Sequence, residues 1–158
     1  MRFFFYKELI NDQVFGVLCE SLGNLVNLQT LKLDFNSDDI GNQGIACLQK
    51  GMSSLYKLET LCLYFQSNQF LSCEIFEEFI RSLCCFSTLS RLDLMFTCLK
   101  VTRELSIAFT ELTNRLKCLD YFFLMLFTTI YVPNNGMIDL LNRLNRRYEV
   151  EIQTYDEN

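Results

Sequence analysis

The stretch Leu28-Gln-Thr-Leu31-Lys-Leu33-Asp-Phe-Asn36 decides the fold, because its Leu-x-x-Leu-x-Leu core recurs downstream. Leu58, Leu61 and Leu63 repeat it, and Leu89, Leu92 and Leu94 repeat it again. Working outward, a weaker fourth copy falls on Leu116, Leu119 and Tyr121. Degenerate outer copies fall on Met1, Phe4, Tyr6 and on Arg147, Val150, Ile152. The copies begin at 1, 28, 58, 89, 116 and 147, a spacing of 27 to 31 residues. A near-constant period of that length marks one supersecondary unit used repeatedly.

Inside each unit the apolar period changes from two to about 3.6, so a short strand leads into a helix. Thr102 is the expected N-cap of a helix whose Leu105, Ala108, Phe109 and Leu112 share one face. Ile75, Phe76, Phe79, Ile80 and Leu83 form a similar stripe, leaving Glu74, Glu77, Glu78 and Arg81 for solvent. The stripe of the first unit is expected at Val14, Val17, Leu18 and Leu22, and that of the last at Ile138, Leu141 and Leu144. One strand and one helix cannot bury their apolar faces alone. Neighbouring units therefore stack into a continuous core, to which each buried leucine contributes ~1.5–3 kcal/mol. Leu31, Leu61 and Leu92 are its expected equivalent anchors.

This pattern resembles leucine-rich repeats, and the unit length is similar to that of the ribonuclease-inhibitor-like class. The second unit carries the most specific match. After Asn36 it reads Ile40-Gly41-Asn-Gln-Gly44-Ile45-Ala46-Cys47-Leu48, similar to the Ile-Gly-x-x-Gly-Ala turn by which that class enters its helix. The extra residues between Asn36 and Ile40 resemble repeats common in ciliated single-celled eukaryotes. The resemblance implies an α/β leucine-rich-repeat solenoid, a curved horseshoe segment with parallel strands on the concave side and helices on the convex side. Residues 1–158 would form a single domain of about five strand–helix units. Asn36 is expected to satisfy backbone groups at the turn, and Gly41 and Gly44 to admit a close approach. Later units carry Gln66, Thr97 and Leu124 at the asparagine position, a departure from the class.

Composition excludes several functions. The chain has 158 residues, 50% of them hydrophobic and only one proline, which is too apolar for disorder over most of its length. With 14 basic and 19 acidic residues it lacks the clustered cations that hold a polyanion, so no nucleic acid is expected as a partner. There is no histidine, which rules out Ser-His-Asp and Cys-His pairs and imidazole-ligated zinc. The eight cysteines contain no Cys-x-x-Cys, and the opening Met1-Arg-Phe-Phe-Phe-Tyr-Lys-Glu meets charge too early for a signal peptide. They read as reduced thiols of an intracellular protein, cytoplasmic or cytoskeletal/ciliary, with Cys19 and Cys47 packing as small apolar groups. The longest uncharged apolar run, Tyr121 to Val132, has 12 residues against the ~20 of a spanning helix, so no membrane insertion is expected.

Alternation along the strands selects the candidate site. If Leu31 and Leu33 face the core, Thr30, Lys32 and Asp34 face the concave surface. The same frame exposes Thr60, Cys62 and Tyr64, then Arg91, Asp93 and Met95, then Cys118, Asp120 and Phe122, and last Glu149, Glu151 and Gln153. The candidate protein-binding residues are Lys32, Asp34, Cys62, Tyr64, Arg91, Asp93, Met95, Asp120, Phe122, Glu149 and Glu151. Tyr64 and Phe122 are the expected ring anchors, and the acidic end suits a basic segment of a partner. The carboxylate neighbours Asp38-Asp39 and Glu77-Glu78 do not aim at one bond. Cys84-Cys85 lacks further metal ligands, and Asn134-Asn135-Gly136 lacks the glycines and lysine of a phosphate loop. No catalytic constellation and no cofactor are expected. The expected function is a non-catalytic protein–protein interaction module, an accessory or scaffold subunit of a hetero-complex. The alternative is a substrate adaptor or ribonuclease-inhibitor-type regulator that binds its target on the concave face. The apolar Phe3–Tyr6 and Tyr121–Val132 stretches are further surfaces that a partner chain would cover.

Overall fold

The computed structural model describes residues 2–4, 10–36, 39–66, 68, 71–131 and 148–154. In chain order the elements are β1 (Arg2–Phe4), α1 (Asp12–Leu22), β2 (Thr30–Asp34), α2 (Asn42–Met52), β3 (Thr60–Phe65) and α3 (Cys73–Ser82). They continue with β4 (Arg91–Val101), α4 (Arg103–Arg115), β5 (Tyr121–Tyr131) and β6 (Glu149–Thr154). The chain is an α/β protein. Its strands form one parallel sheet in sequence order, β1 to β6, and a helix joins each of the first four pairs.

The register shows how the units align. Phe3, Leu33, Leu63, Leu94, Leu124 and Val150 stand side by side across the sheet, and Leu31, Leu61, Leu92 and Phe122 form a second file. Backbone hydrogen bonds at the strand starts fix this spacing. The carbonyl of Gln29 accepts from the N–H groups of Glu59 and Thr60. That of Glu59 accepts from Ser90 and Arg91, and that of Ser90 from Asp120 and Tyr121, all at 2.8–3.0 Å.

Leu31, Leu61 and Leu92 are fully buried equivalents, as expected. Behind them runs an aromatic file that the triplets alone do not announce. Phe35 stacks on Phe65 at 5.9 Å and Phe65 on Phe96 at 5.2 Å, and Phe15 from α1 meets the first two edge-on. Phe76, Phe109, Phe122 and Tyr148 carry the ring contacts on toward β6. Each such pair adds ~0.5–1.5 kcal/mol beyond its burial, so this file ties successive units together.

The helix starts follow the sequence. Side chains of Asn11, Ser72 and Thr102 accept from the backbone N–H groups of Val14, Ile75 and Leu105, each three residues on. Gly41 caps α2 without a side chain and instead donates its N–H to Asp12 at 2.7 Å. Gly44 lies just inside that helix, where a methyl group would come within 2.7 Å of Ile40. Asn36 accepts from the N–H of Gln66 at 2.8 Å, and Asn68 takes the N–H of Ile40, so side-chain amides bridge the second and third units. The stripes expected on α3 and α4 are buried except for half-buried Ile75, and Glu77, expected in solvent, is mostly covered.

Four expectations need correction. The last copy is offset by two residues, because Val150 pairs with Leu124 and so holds the third position expected of Ile152. The fourth unit is Leu119, Phe122 and Leu124, not Leu116, Leu119 and Tyr121, because Leu92 pairs with Phe122 and Leu94 with Leu124. Leu116 belongs with Leu55 and Phe86, buried residues that precede each triplet. The slip of three residues is odd, so it exchanges the two faces of the strand. The first copy slips likewise. Phe3 pairs with Leu33, which puts Phe4 in the file of Asp34. On α1 the buried residues are Phe15, Cys19 and Leu22, whereas Val14 and Val17 are exposed. The stretch from Tyr121 continues as strand β5 to Tyr131, with Phe122, Leu124, Leu126 and Phe127 buried. The stripe Ile138, Leu141 and Leu144 lies outside the described residues.

Candidate protein-binding face

The helices and the leucine files occupy one face of the sheet, and the alternate residues of each strand form the other, open face. Three files cross it. One runs Thr30, Thr60, Arg91, Tyr121; the next Lys32, Cys62, Asp93, Phe123, Glu149; the third Asp34, Tyr64, Met95, Met125, Glu151.

Asp93 organises the centre. Only 3% of it is exposed, and its Oδ2 accepts from Arg91 Nε and Nη2 at 3.2 and 2.9 Å, from the Tyr64 hydroxyl at 3.1 Å and from the Cys62 thiol at 3.3 Å. The other carboxylate oxygen, Oδ1, is buried without a hydrogen-bond partner. The Arg91 guanidinium lies over the Tyr121 ring, 4.2 Å from its centre, while its side chain stays 45% exposed. Three side chains on two adjacent strands are thus locked around one carboxylate, with Tyr121 of the next strand against one of them.

The electrostatics keep these groups inert. Burial, and next the Asp93 charge, raise the Cys62 thiol above its ordinary value and raise the Tyr64 hydroxyl in the same way. Both remain protonated donors near neutral pH. A thiol held in that form is a poor nucleophile. Among the described residues no group of three or more Cys, Asp or Glu is placed to hold a metal ion.

The expected site residues separate into four groups. Lys32, Asp34, Cys62, Tyr64, Arg91, Asp93 and Met95 do share the open face, although Cys62 and Asp93 are buried within it. Asp120 is exposed but precedes β5, level with Ser90 at the strand starts and outside the three files. Phe122 is not on this face. It is 1% exposed and packs on Phe109 and Tyr148 in the core, because the odd slip in the fourth unit inverted its side. Glu149 and Glu151 stand in register with Phe123 and Met125, and their side chains lie outside the described residues. The ring that replaces Phe122 is Tyr121, 37% exposed, with half-buried Phe123 and Met125 beside it. The signal for them was present, since counting back from Leu124 rather than forward from Leu116 gives the observed faces.

The other candidate groups do not converge. Glu77 accepts from the Thr102 hydroxyl at 2.8 Å and braces the start of α4, while Glu78 points to solvent. Asp38 and Asn134-Asn135-Gly136 lie outside the described residues. All eight cysteines are free thiols. Burial pushes Cys19 up to about 12, with Cys47 adding to the shift. Its folded state keeps a proton that the unfolded chain loses near pH 9, so stability should fall as pH rises above 9. Alkylation at pH 8 should reach exposed Cys118 first and Cys19 and Cys62 only after unfolding. Peptide mass spectrometry over a time course measures this order.

Among the described residues no helix is long and apolar enough to cross a membrane. No protein-family model and no curated protein matches the chain.

Proposed function

We propose that the chain is a leucine-rich-repeat solenoid of the ribonuclease-inhibitor-like type and that it works as a non-catalytic protein-binding module, an accessory or scaffold subunit of a hetero-complex. The open sheet face is its concave recognition surface. One observation carries this reading. The Asp93-centred cluster fixes Tyr64, Arg91 and Tyr121 in place on a rigid sheet, and Tyr and Arg are the residues that dominate binding when a partner desolvates them. Because the cluster is held before binding, little side-chain freedom is lost on docking. Met95, Met125 and Phe123 extend it with adaptable apolar surface. The raised thiols suit a reducing compartment, cytoplasmic or cytoskeletal/ciliary, since none is poised for redox exchange.

The test starts from a partner that co-purifies stoichiometrically from the native source and is then titrated in purified form. Tyr121→Ala and Tyr64→Ala should each weaken affinity ~10-fold or more at every salt concentration, about 1.4 kcal/mol apiece. Unchanged affinity in both variants, with unchanged melting curves, would move the interface off this face.

A further inference from the structure

Folding leaves one oxygen of the buried Asp93 unused. Its Oδ2 accepts four hydrogen bonds, two from Arg91 and one each from Tyr64 and Cys62, all donated from β3 and β4. Oδ1 is buried and accepts none. On the other side, β5 sets Phe123 in register with Asp93, and a phenyl ring has no donor to give. Lys32 belongs to the same file but stands two strands away. A buried acceptor without a donor destabilises the fold, so its place on the open face points to a donor from outside.

The surroundings narrow what that donor is. Phe123 lies beside Asp93 across the strands, Met95 two residues on along β4, and Met125 in register with Met95. These steps are about 4.8 Å across the sheet and about 6.6 Å along it. All three side chains are apolar and half-buried. The patch is thus one dehydrated anionic oxygen bordered by two thioethers and a ring. A long apolar stem that ends in a single cation matches it, because methylene groups pack on adaptable methionines while the charged head sits beside an aromatic ring. With Oδ2 filled, only one acceptor is on offer, which suits a compact ammonium better than the two-pronged guanidinium. Folding has also stripped Oδ1 of water already, so only the ammonium has water to lose on pairing.

We propose that the open face seats a lysine side chain of its protein partner, with the methylene stem on Met95 and Met125 and the ammonium donating to Asp93 Oδ1. Entry requires Phe123 or one of the methionines to turn aside, since Oδ1 is closed off in the free chain. Like the proposed function, this seat depends on the open sheet face being the recognition surface, and it gives the partner of that surface a chemistry.

The probe is the peptide acetyl-Ser-Thr-Lys-Thr-Ser-amide, alongside versions with norleucine or arginine in place of the lysine. Each is titrated into the full chain labelled with carbon-13 at its methionine methyl groups. The Met95 and Met125 signals are followed, with buried Met52 as the internal reference. The lysine peptide should shift Met95 and Met125 saturably and bind ~10-fold or more tightly than the other two. Asp93→Asn should abolish that preference. Its carbonyl keeps the donors of Arg91, Tyr64 and Cys62, and its amide nitrogen replaces Oδ1 and faces the ammonium with a donor. Should that variant fail to fold, the three peptides on the parent chain decide alone. Equal affinity for lysine and norleucine, arginine binding as tightly as lysine, or no saturable shift by ~20 mM overturns the proposal. So does an unaltered lysine preference in folded Asp93→Asn. If the lysine peptide fails while Tyr64→Ala and Tyr121→Ala still weaken the partner, the recognition surface stands and the lysine seat falls. A lysine preference with both tyrosine variants binding the partner normally keeps the seat and overturns the protein-binding reading instead.

Discussion

Leu61→Asp is expected to unfold the protein at room temperature. Leu61 is fully buried in β3 between Leu31 and Leu92, and every neighbour in its file is apolar. A carboxylate there loses its water and gains no cation or donor, which costs ~4 kcal/mol or more. That is a large part of the ~5–15 kcal/mol that holds a domain of ordinary stability together. The stacked units share one core, so the loss spreads beyond β3. Leu61→Ala removes packing without adding charge and should cost ~2–5 kcal/mol, leaving a folded but weakened chain. Circular dichroism separates the two. A Leu61→Asp protein that keeps its helical signal and melting temperature would refute the side-by-side leucine files.

Gly51→Ala is expected to destabilise, against the usual sense of that substitution. In an open helix interior alanine is favoured over glycine by ~1 kcal/mol. Here the added methyl carbon would lie 2.2 Å from the Cys19 carbonyl oxygen and 2.8 Å from its carbon. Backbone cannot rotate away as a side chain does, so α1 and α2 must separate. Overpacking of that kind costs ~1–3 kcal/mol, enough to cancel the propensity gain and reverse its sign. Gly16→Ala is the control, because its methyl group meets only the Cys47 sulfur at 3.6 Å, an ordinary contact. It should be neutral or stabilising. Urea unfolding of both variants tests the pair, and equal stability gains would mean that the two helices lie farther apart than the structure has them.

The candidate face depends on the same geometry. Asp93 accepts from Cys62 and Tyr64 on β3 and from Arg91 on its own strand, so the cluster exists only while β3 and β4 hold their register. A slip by one residue would replace Asp93 with a leucine and leave Cys62 and Tyr64 without their carboxylate. Stability of the leucine files and shape of the open face are one property seen from two sides.

The sequence by itself determined the parallel α/β repeat in the middle of the chain. The triplets at Leu28, Leu58 and Leu89 are strict, and a strict period-two pattern leaves only one face to bury, so Lys32, Tyr64, Arg91 and Met95 could be assigned to the open face without coordinates. The cap at Thr102 was legible for a similar reason, since a hydroxyl three residues before the first buried position answers a local need of the backbone. Toward both ends the pattern weakens, and tertiary structure decided the rest. Leu116 matches the triplet as well as Leu119 does, and only the pairing of Arg91 with Tyr121 shows which one begins the strand and therefore that Phe122 lies inside and Tyr121 outside. The burial of Asp93 likewise needs Tyr64, Cys62 and Arg91 to converge, which no spacing along the chain encodes. On α1 the apolar pattern fits two adjacent stripes, Phe15 with Cys19 and Val14 with Val17. The chain chose the first because Phe15 reaches the rings of Phe35 and Phe65.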